Sequence, residues 1–143
     1  MSKASKKAVP AALLSEPEGY NGWKNYETWA VALWLDNEEG TARHRAGMAR
    51  AAWEDAPNDP RVTSKPRVWA RSEAARFNLA DALRAWVDDM DPSNDGTGPV
   101  AGTMWADLIG AALGEVDWDE IADNDLAECK GYKGRDSKTG GAS

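Results

Sequence analysis

Few residues in this 143-residue sequence could carry acid–base, nucleophilic or metal chemistry, and they are isolated from one another. The single histidine, His44, has no carboxylate one helical turn away, whereas a histidine acting as a general base normally has an orienting partner. The single cysteine, Cys129, excludes an internal disulfide and any site built from several thiolates. One histidine also excludes a zinc site built on a histidine pair. We therefore expect no enzyme activity, no catalytic residue, no metal site and no cofactor.

Two further patterns resemble chemical sites but depart from them. Residues 91–96 match the start of a calcium loop, yet the twelfth position is a glycine rather than a bidentate glutamate. The neighbouring carboxylates Asp88 and Asp89, like Asp119 and Glu120, project about 100° apart on a helix. We interpret these pairs as surface charge, and the sequence contains no glycine-rich phosphate-binding motif.

Charge is unevenly distributed along the chain. The net charge is -7, but residues 41–76 carry eight bases and four acids, and residues 88–128 carry twelve acids and no base. The acidic half is interpreted either as solvated helix faces or as a surface that binds a basic partner or imitates nucleic acid. The candidate partner-binding residues are Asp88, Asp89, Asp117, Asp119, Glu120, Asp123 and Asp125.

The bases of residues 41–76 could form a nucleic-acid-binding face if the fold brought them together. A net charge of -7 opposes attraction to phosphates, so we do not expect direct nucleic-acid binding. The bases concerned are Arg43, Arg45, Arg50, Arg61, Lys65, Arg67, Arg71 and Arg76.

Hydrophobic periodicity predicts an all-α fold with a single compact domain of about five helices. We place the helical domain at residues 20–129, between flexible tails at 1–19 and 130–143, because both tails lack a sustained helical period. No apolar run is long enough to span a membrane, and the N-terminal apolar stretch is too weak for a secretory signal. These features predict a cytoplasmic protein.

Capping residues and breakers predict where the helices begin and end. Residues 29–35 are all apolar, so we expect the first helix to be covered on most sides. The predicted helices run from the N-cap Asn25 to about Asp36, from Thr41 as cap to about 55, from about 65 to 90 with Pro66 in the first turn, from about 99 to 114, and onward from an Asp117 cap with Glu120 three residues later.

The chain is rich in tryptophan, with eight of them among twelve aromatic residues. Most lie on apolar stripes of the predicted helices, which favours core packing. The alternative is an exposed aromatic patch that binds a protein, since tryptophan is enriched at interface hot spots. The predicted core contains Trp29, Leu33, Trp86, Leu108 and Trp118.

The segment 20–40 contains the motif Asn25-Tyr26-Glu27-Thr28-Trp29, which Ala30 separates from the run Val-Ala-Leu-Trp-Leu-Asp. It resembles the N-Y-E-T-W family, a group of small uncharacterised proteins found largely in phages, prophages and plasmids. The resemblance implies a mobile-element accessory protein in a bacterial cell and brings no activity, cofactor or catalytic residue with it. Physically, Asn25 caps a helix that carries Tyr26, Trp29 and Leu33 on one side; alternatively, Tyr26, Glu27 and Thr28 form a contact surface.

These observations predict a non-catalytic phage- or plasmid-encoded accessory protein that acts by protein–protein interaction in the bacterial cytoplasm. The alternative is an acidic DNA-mimic inhibitor, of the anti-restriction or anti-CRISPR kind, directed at a basic nucleic-acid-binding host protein. The sequence does not indicate an oligomeric state.

Overall fold

A computed structural model describes residues 19–92 and 101–135 of the chain. Within those ranges the chain forms helices and no β-strand, which confirms the predicted all-α fold. The helices are α1 (Tyr26–Asn37), α2 (Glu39–Asp55), the single turn α3 (Pro60–Thr63), α4 (Arg71–Met90), α5 (Met104–Gly114) and α6 (Trp118–Leu126), and a 3-10 turn at Ala56–Asn58 extends α2.

Helix α4 lies at the centre of the fold and packs against α6 and α2. Its Leu79 and Leu83 meet Ile121 and Leu126 of α6, and all four side chains are fully buried. Alanines fill most of the remaining core, because small side chains allow helix axes to approach closely. The buried alanines are Ala32, Ala49, Ala56, Ala74, Ala75, Ala80 and Ala122.

The predicted tryptophan-rich core is only partly correct. Trp86 and Trp118 pack against the buried cluster from its edge, and Trp29 and Leu33 are partly buried. Leu108 is 53% exposed, so its assignment to the core is wrong. The close packing of leucine and alanine at the centre leaves the large indole rings at the rim.

Helix α1 is less covered than its apolar sequence predicted. It buries Thr28, Ala32 and Leu35, one residue per turn, and Trp34 on another side is 70% exposed. The expectation that this helix is covered on most sides is therefore partly correct, because Trp34 is exposed whereas Trp29, Ala30, Val31 and Leu33 are partly buried.

Helices α1 and α6 begin at the side-chain caps that the sequence predicts, and the other helices start at different residues. Asn25 and Asp117 cap α1 and α6 as predicted. Helix α2 begins at Glu39 rather than at Thr41, whose hydroxyl donates backwards to the carbonyls of Leu35 and Glu38 at 2.6 and 2.9 Å.

The start of the long central helix was also placed too early, at residue 65. It begins at Arg71, because Asp59 opens the separate turn α3 and the Glu73 carboxylate accepts the Ala70 N–H at 2.8 Å. The next helix begins at Met104 with Thr103 as N-cap, rather than at residue 99, which lies outside the described residues.

The packed chain continues past the predicted domain boundary at residue 129. Tyr132 packs against Trp53, and its hydroxyl donates to Asp123 Oδ1 at 2.5 Å and accepts from Arg76 at 3.0 Å. The Lys133 N–H donates to Ser72 Oγ at 2.9 Å. Residues 130–135 thus form part of the folded domain rather than of a tail. The predicted flexibility of residues 1–18 and 136–143 concerns chain outside the described residues.

Across the described ranges, no helix combines the length and the apolar character needed to cross a membrane.

Candidate interaction surface

Helix α5 is apolar and yet contributes no buried residue to the fold. Asp107 is its only charged residue. Met104, Trp105 and Leu108 are 61%, 60% and 53% exposed, and their spacing places them on neighbouring positions of one helix side. We call these three residues the α5 surface. Exposed apolar side chains clustered in this way are typical of protein-binding sites.

The C-terminal end of α5 is anchored to the domain, so the helix has a defined position. Leu113 packs against the core, and the following Val116 is buried. The carbonyl of Glu115 accepts a hydrogen bond from the Asn25 side-chain amide at 2.7 Å. The α5 surface lies in the N-terminal half of the helix, away from these anchors.

The Asn25–Trp29 motif supplies much of this anchoring. Asn25 Oδ1 accepts from the Thr28 N–H at 2.9 Å and from its hydroxyl at 2.6 Å, and the Thr28 hydroxyl oxygen accepts from the Asp117 N–H at 2.8 Å. Thr28 is fully buried. The motif therefore joins the start of α1 to the connection between α5 and α6, and two of its polar residues have structural roles.

The motif's aromatic residues form a second, partly exposed cluster. The rings of Tyr20, Tyr26 and Trp29 lie 5.0–5.5 Å apart, and both tyrosines are exposed. The Trp29 indole N–H is buried and has no hydrogen-bond partner among the described residues. Glu27, which lies between Tyr26 and Thr28 in the sequence, is partly exposed. The contact-surface interpretation of the motif thus applies to Tyr26 rather than to Thr28.

The predicted acidic residues are divided between the end of α4 and the helix α6 with its N-cap, and several of them have partners within the fold. Asp117 caps α6 by accepting the Glu120 N–H at 3.0 Å, and Glu120 accepts the Lys24 N–H at 2.8 Å. Asp123 accepts from the Tyr132 hydroxyl and from the Arg135 N–H. These carboxylates have partners within the fold.

The other predicted acidic residues are dispersed. Asp89 and Asp119 are exposed on different helices, and Asp88 lines a cleft with Arg84 and Asp91. The acidic run of the sequence is broken in space because bases from distant segments lie among the carboxylates.

Asp125 forms the most buried of these contacts. Arg45 donates to both of its carboxylate oxygens, at 3.1 and 2.6 Å, and to Asp36 at 2.6 Å. Burial raises the pKa of Asp125, and Arg45 opposes that rise. Burial would lower the pKa of Arg45, but the carboxylates of Asp125 and Asp36 raise it. The pair is structural and is unavailable to a partner.

The bases of the central segment likewise divide among separate contacts. Arg43 pairs with Glu39, Arg45 is buried, and Arg61 pairs with Asp59. These three bases are therefore paired within the fold and do not contribute free charge to a nucleic-acid-binding face.

The surroundings of His44 and Cys129, the two residues considered for catalysis, do not activate either side chain. The His44 ring lies 4.6 Å from the Trp86 ring, and partial burial raises the pKa of the Cys129 thiol, which favours the unreactive protonated form. No group of three or more metal-ligating side chains occurs in the part of the chain that the structure describes.

Comparison with known proteins gives one partial match. A family model described as "Family of unknown function (DUF7249)" matches residues 16–57, less than a third of the chain. The matched segment contains the Asn25–Trp29 motif, α1 and α2. No curated protein and no solved structure matches the chain.

Proposed function

We propose that this protein acts by binding another protein through the α5 surface. The observation that carries the proposal is the exposure of Met104, Trp105 and Leu108 on a helix that buries none of its residues. Tryptophan and methionine are enriched at the centres of protein interfaces. A helix that is apolar but uncovered gains stability when a partner removes its side chains from water.

The partner inferred for this surface is a basic amphipathic segment. Residues 101–129 contain eight acids and no base, and of these Asp107 lies on α5 and Glu115 follows it directly, both exposed. A partner with an apolar stripe flanked by lysine or arginine would cover the α5 surface and meet these carboxylates. Complementary charge would also accelerate association and make it dependent on salt.

The setting proposed is the bacterial cytoplasm, where the protein would serve as a phage- or plasmid-encoded accessory factor. This part of the proposal rests on the resemblance of residues 20–40 to the N-Y-E-T-W family. The finding that α5 is exposed supports a binding role rather than a catalytic one.

The acidic DNA-mimic inhibitor is retained as the alternative. A mimic needs an extended array of available carboxylates, and Asp117, Glu120, Asp123 and Asp125 make contacts within the fold. The observations therefore favour docking on the α5 surface, and the test below separates the two.

The test compares capture of cellular proteins by three forms of the full chain. The wild type is compared with Trp105→Ala/Leu108→Ala, which removes most of the α5 surface, and with Trp34→Ala, which removes an equally exposed tryptophan elsewhere. We expect one retained protein to be lost only from the double variant. With that protein purified, the double variant should raise the dissociation constant by roughly thirtyfold, which corresponds to about 2 kcal/mol for a hot spot.

Three results would count against the proposal. Retention that is unchanged in Trp105→Ala/Leu108→Ala would exclude the α5 surface. Retention lost in Asp89→Asn/Asp119→Asn but not in the α5 variant would favour the acidic mimic. Sedimentation showing that the wild type dimerises while the α5 variant stays monomeric would assign the surface to self-association instead.

A further inference from the structure

A cavity of about 540 Å³ lies at the opposite end of α4 from α5. Its walls are the first two turns of α4, the end of α2 and residues 130–134. This volume is within the range of small-molecule sites, which is about 300–1,000 Å³. The cavity has no part in the proposed interaction of α5.

The cavity concentrates positive charge in a chain whose net charge is -7. Arg71, Arg76, Lys130 and Lys133 line it, and Glu73 is the one acid among the described residues that line it. The Glu73 carboxylate accepts the N–H of Ala70. The cavity therefore carries an excess of three positive charges that no lining carboxylate offsets.

Contacts within the fold hold the two arginines in place. Arg71 donates twice to the Trp53 carbonyl, at 3.1 and 2.9 Å, and its guanidinium lies 3.8 Å above the centre of the Trp53 ring. Arg76 donates to the Tyr132 hydroxyl at 3.0 Å. A site whose cations are already oriented loses less entropy when a ligand binds.

Residues 130–134, which carry the two lysines, are also fixed by contacts within the fold. Gly131 has φ +94°, a conformation that favours glycine, and a Cβ there would contact Trp53 at 3.4 Å. The Lys133 N–H is bound to Ser72. Lys130 and Lys133 themselves are exposed at the mouth of the cavity and can reach a ligand.

We propose that this cavity binds a small molecule bearing a phosphate group. Lysine and arginine are the residues that recognise phosphate oxygens, and a phosphate monoester carries about two negative charges at neutral pH. The phosphate would lie among Arg76, Lys130 and Lys133, and the organic part of the ligand beside the Trp53 indole. The cavity favours a small ligand over a nucleic-acid strand because its volume suits one small molecule and because Arg43, Arg45 and Arg61 are paired with carboxylates elsewhere in the fold.

The experiment is a titration of the full-length protein, labelled with ¹⁵N, with inorganic phosphate, pyrophosphate and adenosine monophosphate. Saturable shifts are expected at Ser72, Gly131, Lys133 and the Trp53 indole. Lys130→Ala/Lys133→Ala should weaken binding about tenfold or more, which corresponds to about 1.4 kcal/mol or more, because a hydrogen bond to a charged group contributes at least that much to the binding free energy. The matched control Lys65→Ala/Arg67→Ala removes two exposed cations outside the cavity and should leave the affinity within about twofold.

The proposal is overturned if none of the three probes gives saturable shifts at these residues by about 10 mM, a concentration at which even weak sites fill. It is also overturned if the two double variants weaken binding equally. Binding of a single-stranded oligonucleotide without binding of adenosine monophosphate would replace it with a nucleic-acid surface. Circular dichroism of each variant checks that the helical fold is retained.

Discussion

Asn25 and Thr28 act together as a clamp between parts of the chain about 90 residues apart. Asn25 accepts two hydrogen bonds from Thr28 and donates one to the carbonyl of Glu115, and Thr28 accepts the Asp117 N–H. The same two side chains thus cap α1 and fix the end of α5. The motif combines an asparagine with a threonine three residues later. The asparagine binds the threonine and the carbonyl of Glu115, and the threonine hydroxyl binds the N–H of Asp117 at the start of α6.

We expect Asn25→Ala to lower the free energy of unfolding by about 1–3 kcal/mol, from loss of the cap and of the bond to Glu115. Glu27→Gln, in the same motif but outside the clamp, should change it by about 0.5 kcal/mol or less. Urea denaturation measures both. Equal losses in the two variants would show that the clamp has no special contribution.

Arg45 and Asp125 illustrate how a buried ion pair differs from an exposed one. The Arg45 and Asp125 side chains are only 5% and 9% exposed, whereas the Arg43–Glu39 pair on the same helix is open to solvent. Removing two charges from water is costly, so a buried pair adds little net stability while intact. Removing one partner leaves the other charge buried without compensation.

Arg45→Met is therefore expected to destabilise the protein by about 3–5 kcal/mol, and Arg45→Met/Asp125→Leu to recover much of that loss. Arg43→Met, the matched exposed arginine, should cost under about 1 kcal/mol. Chemical denaturation of the four proteins provides the comparison. A double variant no more stable than Arg45→Met would contradict this account.

The single turn α3 is held by a charged network in addition to the packing of Val62 against the core. Asp59 accepts from the Arg61 N–H at 2.8 Å, from its guanidinium at 2.9 and 2.7 Å, and from Asn78 at 2.9 Å. Arg61 in turn lies 4.2 Å above the Trp69 ring. The Arg61 and Asn78 hydrogen bonds hold the pKa of the Asp59 carboxyl well below its usual range. The network attaches the α2–α4 connection to the middle of α4.

The lowered pKa makes the contribution of Asp59 dependent on pH. A carboxylate whose pKa is lower in the folded than in the unfolded state stabilises the protein above about pH 4, the unfolded value, and this stabilisation is lost as the pH falls further. Asp59→Asn should thus be less stable than the wild type at pH 7, and the difference should shrink below pH 4. Urea denaturation at pH 7 and below pH 4 measures this difference in stability. Asp55→Asn, at an exposed position, is the control and should change the stability little. A difference independent of pH would mean that Asp59 acts only by its shape.

Comparison of the elements shows which features local sequence determines. The starts of α1 and α6 were predicted because Asn25 and Asp117 carry side chains that cap their own helices. The starts of α2 and α4 were not, because Glu38 and Ala70 make no side-chain cap; at α4 the Glu73 carboxylate binds the Ala70 N–H instead. The all-α fold follows from periodicity, which does not depend on such contacts.

The candidate sites were harder to predict because they depend on distant pairing. Nothing local marks Arg45 as the partner of Asp125, 80 residues away, so the sequence left open whether the acidic run forms solvated helix faces or a binding surface. Lys130 and Lys133 lie in a glycine-rich stretch typical of a tail, and only the folded chain places them beside Arg71. For α5, the apolar residues predicted burial in the core. The helix has no charged face to meet water, and this lack of a polar side was the available signal of an interface with another protein.

The two candidate sites lie at opposite ends of α4, which is about 30 Å long. Its N-terminal end carries Arg71 and Arg76, and its C-terminal end carries Asp88 and Asp89. Glu73 in the first turn suits the helix dipole, which favours anions at the N-terminus and cations at the C-terminus, whereas these four charges oppose it. An anion in the cavity and a basic partner near α5 would each offset one end, so both proposals relieve an unfavourable arrangement of the molecule.

The same architecture predicts uneven stability across the molecule. Helices α4 and α6 share the buried core, whereas α5 buries no residue and has sparse contacts with the other helices. Regions with few buried contacts open locally, without unfolding of the whole domain. We expect the amides of α5 to exchange with solvent through openings that cost at least about 2 kcal/mol less than those of α4.

Native-state hydrogen exchange, resolved by residue, measures this difference between Leu108–Leu113 and Leu79–Leu83. Repeating the experiment at a lower protein concentration separates local opening from protection by self-association. Protection of α5 equal to that of α4 at both concentrations would mean that α5 is part of the cooperative core, and its exposed side chains would then need another explanation. If α5 opens as expected, a bound partner should raise the protection of α5, and also that of α4 amides that exchange through global unfolding, because neither the locally open state nor the unfolded state contains the α5 surface.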